Sequence, residues 1–193
     1  MSRAMSNFRV DPKRAALLII DVQERLVAAM NDEQVPVMER NIAILCELAR
    51  RFDIPVVCTQ QYPKGLGPTV PNIESALADV GANVHRFDKT EFSVCANAAF
   101  DPIYEQLGRD QWIVTGMESH VCVYQSVRDL LARGATVHLP NETAISRHES
   151  NRQTGFGLME KLGAIRTSTE VVVFDVLGKA GGDDFKALSR LVR

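Results

Sequence analysis

The chain has 193 residues, 46% of them hydrophobic and 24% charged, with a formal net charge of −2. That length suits one domain with a substantial core, and the near-balanced charge includes no basic stripe or Lys/Arg block of the kind that nucleic acid binding requires. No apolar run approaches the roughly 20 residues of a membrane-crossing helix, and residues 1–14, which lack the apolar centre of a secretory signal, read as a mobile lead-in to a single domain over residues 15–193.

The predicted elements alternate between strand and helix. Ala15–Ile20 is an unbroken apolar run, read as a buried strand that ends at Asp21. Val35–Arg51 carries Val37, Ile42, Ile44, Leu45, Leu48 and Ala49 at helical spacing. Ile54–Thr59 is the second strand, with Pro55 tolerated at its start. Residues 60–71 hold three prolines and two glycines, which predict an irregular loop beside the carboxyl end of that strand. A short helix over Asn72–Asp79 precedes the third strand, Asn83–Asp88, which Lys89 follows. Asn97–Leu107 is helical, Gln111–Thr115 is the fourth strand, and Cys122–Arg133 is a helix closed by Gly134. Ala135–Leu139 is the fifth strand, and His148–Leu162 is a helix stopped at Gly163. The β-branched run Glu170–Phe174 reads as a strand, and Asp184–Arg193 as a terminal helix. This order predicts a mainly parallel central sheet with helices on both faces, a three-layer α/β/α arrangement.

In such sheets, ligands bind outside the carboxyl ends of the strands, where Asp21, Lys89 and Cys122 all fall. A thiol, a carboxylate and an ammonium in one crevice suggest a cysteine-nucleophile hydrolase. A cysteine opening a helix has its thiolate favoured by the helix dipole and by free N–H groups, which could also stabilise an oxyanion. Each residue also has a plainer role available: Cys122 as packing, Asp21 as a turn cap, Lys89 as a solvated lysine between Asp88 and Glu91. Their coincidence at strand ends favours function. The other cysteines, Cys46, Cys58 and Cys95, form no C-x-x-C pair and suit core positions, so a reduced, cytoplasmic protein is expected.

Three segments, Leu18-Ile19-Ile20-Asp21-Val22-Gln23, Asp88-Lys89-Thr90-Glu91-Phe92-Ser93 and Gly116-Met117-Glu118-Ser119-His120-Val121-Cys122-Val123, together resemble the isochorismatase-like cysteine hydrolases. The resemblance runs in order from about Ala15 to the tail. It implies a Rossmann-like fold, with Cys122 as nucleophile, Asp21 as proton acceptor and donor, and Lys89 holding both in place. It also implies a cis Met117–Glu118 peptide and an oxyanion hole built from the backbone N–H groups of Glu118 and Cys122. Homo-oligomers are implied as well.

Gln23, Tyr62, Phe92 and His120 are candidates for a substrate pocket, with Trp112 lining or supporting it. The nicotinamide-cleaving members carry an Asp/His metal cluster after the second strand, whereas this chain reads Thr59-Gln60-Gln61-Tyr62 there, and its 4 histidines are scattered. The resemblance is therefore to a metal-free branch, and no cofactor is expected. The expected activity is C–N cleavage of a small amide, carbamoyl or ureido compound through a thioester. The alternative is a non-catalytic or redox-sensing protein with Cys122 as a reactive thiol.

Overall fold

Six apolar residues with no polar interruption, Ala15–Ile20, form β1 at the centre of the sheet, where both faces are covered. The computed structural model describes residues 3–31 and 33–193. Within them the remaining strands are β2 (Val56–Gln61), β3 (Val84–Lys89), β4 (Gln111–Met117), β5 (Thr136–Pro140), β6 (Ala144–Ile145) and β7 (Ile165–Thr167). The helices are α1 (Arg3–Asn7), α2 (Glu24–Val27), α3 (Gln34–Phe52), α4 (Pro63–Leu66), α5 (Pro71–Val80), α6 (Phe100–Leu107), α7 (Tyr124–Ala132), α8 (Glu149–Lys161), α9 (Thr169–Leu177) and α10 (Gly182–Leu191).

The sheet runs β3-β2-β1-β4-β5-β7, with β6 paired to β4, and its strands pair in parallel. Alternation along β1 divides the core. Leu17 and Ile19 face Ile42 and Leu45 of α3, Ile73 of α5 and Val172 of α9, whereas Leu18 and Ile20 face Phe100 of α6, Val127 of α7 and Phe156 of α8. The predicted three-layer α/β/α arrangement is thus the observed one. The order of strands reverses between β1 and β4, so the carboxyl ends of these two strands flank a crevice. Register then aligns the carboxyl ends: Ile20 lies opposite both Thr59 and Gly116, and Gln61 lies opposite Lys89.

Several expectations need correction. Glu170–Phe174 is not a strand. Ser168 caps a helix there by accepting from the Val171 N–H, and Val172, Val173 and Val176 are buried at helical spacing. A β-branched run fits a helix when packing fixes one face of it. The 60–71 loop is more regular than its prolines and glycines suggest. Gln60 and Gln61 extend β2, Pro63 opens the short α4, and Thr69 bridges back to Gln23. The segment preceding β1 is not a free lead-in. The Asp11 N–H donates to Gln111 Oε1 at 2.8 Å, Gln111 Nε2 donates to the Arg9 carbonyl, and Val10 is buried. Met1 and Ser2 lie outside the described residues. Val37, assigned to the apolar face of its helix, is 48% exposed. β6 and β7 were not anticipated, being too short for a period to register.

Candidate active site

Asp21 follows β1 with φ +54, a left-handed conformation that aspartate tolerates better than most residues, and it turns the chain out of the sheet. Its side chain is fully buried. Oδ1 accepts from Thr59 Oγ1 at 2.8 Å and Oδ2 accepts from Lys89 Nζ at 2.6 Å. A buried carboxylate needs such partners, because its desolvation is otherwise prohibitive.

Lys89, the last residue of β3, is equally buried and has acceptors for all its protons. Besides Asp21, Nζ donates to Gln61 Oε1 at 2.7 Å and to the carbonyls of Glu91 and Phe92, each at 3.3 Å. Cys122 lies not in a regular helix but in a widened turn, Ser119–Val123, between β4 and α7. Such widened turns recur at functional sites. Cys122 is buried, and its thiol feels the charges of both Asp21 and Lys89. The Cys122 carbonyl accepts from Ser126 Oγ at 2.6 Å, and that hydroxyl accepts from the Val94 N–H at 3.0 Å, so the turn is anchored to the segment after β3.

The expected thiolate is not the resting state of this sulfur. Burial first, then the Asp21 charge, push the Cys122 thiol up to about 12, with Lys89 only partly opposing them. Burial raises Cys46, Cys58 and Cys95 to about 12 as well, so placement, not acidity, distinguishes Cys122. Cys46 and Cys58 are core residues as expected, while Cys95 is only partly buried.

The Met117–Glu118 peptide is cis. The Glu118 carboxylate turns toward the following loop, where Oε2 accepts from the Arg147 backbone N–H at 3.0 Å and from Arg147 Nε at 3.2 Å. His120 Nδ1 pairs with Ser146 Oγ at 3.1 Å. Tyr62, at φ +37, and Phe92 are both about half exposed at this end of the sheet. A concavity of about 300 Å³ opens beside them, between Tyr62-Pro63-Lys64, Asp88-Lys89-Thr90 and Asn97. Another, of about 350 Å³, lies between Gln34, Asn141, Ile145 and Arg152 and includes none of the three central residues.

Two pocket candidates are buried in the chain's own packing. Gln23 is fully buried, its amide spent bracing Gln61 and Gly67. Trp112 is a core residue stacked on Tyr104 at 5.6 Å and packed against Phe100. Thr59, Gln61 and Ser126 went unnoticed in the sequence. Polar residues ending an apolar strand were the available signal for the first two, and Ser126, four residues after Cys122, had none. Among the described residues, no group of three or more His, Cys, Asp or Glu side chains is placed to hold a metal ion.

The profile of the Isochorismatase domain matches residues 15–171. The secreted isochorismatase effector Isc1 of Phytophthora sojae is 32% identical, the match covering 96% of this chain and 87% of that protein. Among solved structures, the MAR1 ribonuclease of Caenorhabditis elegans superposes with a TM-score of 0.84 at 34% identity, covering 95% of this chain and 92% of that one. The Escherichia coli YcaC gene product, described as an octameric hydrolase of unknown specificity, gives a TM-score of 0.85 at 23% identity over 95% of this chain and 88% of its own, a likeness of fold alone. With the profile spanning most of its length and the sequence similarity extending almost from end to end, the chain belongs to the isochorismatase-like hydrolase family.

Proposed function

We propose that this hydrolase is cysteine-dependent and cleaves the C–N bond of a small amide, carbamoyl or ureido compound through a thioester. One observation carries the reading: a fully buried Asp21–Lys89 pair at 2.6 Å whose charges both act on the buried Cys122 thiol, at the carboxyl edge of a parallel sheet. A thiol held neutral by burial needs a base beside it at the moment of attack, and Asp21 is that base.

In the first half-reaction Asp21 takes the thiol proton as the sulfur bonds to the substrate carbonyl carbon. The carbonyl electron pair moves to oxygen, which is received by the backbone N–H groups of Glu118 and Cys122. Collapse breaks the C–N bond, and the Asp21 proton leaves with the amine or ammonia. In the second half-reaction Asp21 takes a proton from water as the water oxygen adds to the thioester carbonyl. Collapse then breaks the C–S bond, and Asp21 returns the proton to sulfur. Lys89 offsets negative charge on Asp21 and sulfur throughout.

The concavity of about 300 Å³ lined by Tyr62 and Lys89 and the burial of Cys122 favour a small substrate, and the exposed ring of Tyr62 offers it an apolar rim. The redox-sensing alternative has less support, since oxidation favours an accessible thiolate and this thiol is buried and neutral.

The test is an ammonia-release screen over small amides, carbamoyl and ureido compounds, with and without EDTA, beside Cys122→Ala. Turnover that survives EDTA and disappears in Cys122→Ala is the expected result. Turnover retained by Cys122→Ala would remove the thioester from the reading.

A further inference from the structure

Gln61 joins three parts of this end of the sheet. On β2 its side chain and that of Gln60 diverge. Gln60 Oε1 accepts from the Thr69 N–H and its Nε2 reaches Asp88, while Gln61 turns to Lys89. Gln61 Oε1 accepts from Lys89 Nζ at 2.7 Å, and Gln61 Nε2 donates to the Thr90 carbonyl at 2.8 Å. The backbone of Gln61 is itself clamped. Its N–H donates to Gln23 Oε1 at 2.7 Å, and its carbonyl accepts from Gln23 Nε2 at 3.1 Å. The same Gln23 Nε2 donates to the Gly67 carbonyl at 2.7 Å, beyond α4.

We infer that Gln61 is a positioning residue that orients the Lys89 ammonium toward Asp21 and Cys122, and that Gln23 ties it to the 62–67 segment bearing Tyr62. The inference rests on the proposed roles of those three residues. An ammonium has three protons to place. Asp21 takes one and the two carbonyls at 3.3 Å share another, so the remaining proton is directed by Gln61. An amide is suited to this place because it accepts without charge. A carboxylate there would compete with Asp21 and with a developing thiolate for the one positive charge, whereas a hydrocarbon would leave a buried N–H without an acceptor. The bond network also gives the Tyr62 rim a mechanical link to the reacting centre, through Gly67, Gln23, Gln61 and Lys89.

The test needs no substrate. Carbamidomethylation of Cys122 by iodoacetamide is followed by peptide mass across the pH range for the native chain, Gln61→Met, Lys89→Met and the double variant, with folding checked by thermal melt. Gln61→Met is expected to slow Cys122 labelling near neutral pH by about tenfold. In the Lys89→Met background the same change is expected to have less than about a twofold effect, because a residue acting through Lys89 has nothing left to position. An equal factor in both backgrounds overturns the inference while leaving the roles of Lys89 and Cys122 standing. Unaltered labelling in Lys89→Met overturns both. Gln61→Glu keeps the oxygen acceptor for Lys89 Nζ and gives up only the donor to the Thr90 carbonyl. Its expected signature is Cys122 labelling slowed about tenfold near neutral pH, and an unmoved rate there counts against the inference even if Gln61→Met does not fold.

Discussion

Asp21 has two partners, Thr59 and Lys89, that fill both carboxylate oxygens, and a third neighbour, the Cys122 thiol, with which the proposed chemistry exchanges a proton. Asp21→Asn separates these roles. It leaves Lys89 buried without a counter-charge, so a stability loss of about 3–5 kcal/mol is expected, measured by denaturant unfolding. Hydrolysis in the folded fraction should fall roughly 10²–10⁴-fold for want of the proton acceptor. Iodoacetamide labelling of Cys122 should be unslowed or faster, because the Asp21 charge is one of the causes holding that thiol up. Labelling that fell in step with hydrolysis would show that Asp21 organises the sulfur and does not serve as its base. At this scale the sequence was informative about the three residues but not about who holds them. An acid after an apolar run is visible in a string of letters. The partners Thr59, Gln61 and Ser126 emerge only when β1, β2, β3 and α7 are brought side by side.

The widened turn carrying Cys122 is held from behind by α8. A Cβ on Gly155 of α8 would lie 2.7 Å from the Ser119 carbonyl and 2.9 Å from the His120 nitrogen, whereas one on Gly157 would meet nothing within 4 Å. The two glycines lie in the same helix and make a controlled comparison. Gly157→Ala should stabilise by up to about 1 kcal/mol through helix propensity, with turnover unaffected. Gly155→Ala has the same propensity gain but pushes α8 off the turn, so its turnover should fall about tenfold or more, consistent with the sensitivity of catalysis to displacements near 1 Å. Equal turnover in the two variants would show that α8 does not set the position of Cys122. Elements with a long hydrophobic period, α3 above all, were legible in the sequence to within a residue or two. Failures cluster where a run is short or β-branched: α9 was read as a strand, and β6 and β7 give no periodic signal.

The packing of the whole molecule also sequesters His138, on β5, which is 1% exposed. It is faced by Asp175 of α9, Arg14 and a backbone group of Asn7, and burial outweighs the Asp175 attraction to lower its pKa from 6.5 to about 4. The folded chain therefore binds this proton less readily than the unfolded chain. Stability from this residue is complete above about pH 6.5, is lost as the pH falls toward about 4, and amounts to about 3 kcal/mol in all. Thermal melts over that window should decline steeply in the native chain and more gently in His138→Gln. Parallel declines over that window would show that His138 is not the source of the acid sensitivity, while carboxylates such as Glu47, Glu91 and Glu149, whose values are lowered, act only at lower pH.

The alternation of strand and helix from β1 to α8, apart from the short β6, the α/β class, the family and the positions of Asp21, Lys89 and Cys122 at strand ends were determined by the sequence itself, because period and residue type are properties of short segments. Tertiary structure alone decided the sheet order, the neutral state of the Cys122 thiol, the helical state of α9 and the use of Gln23 as a brace. Each depends on burial and on groups far apart in the chain, such as Gln23 and Gly67 or Asp21 and Lys89, which only the assembled sheet brings within hydrogen-bonding distance.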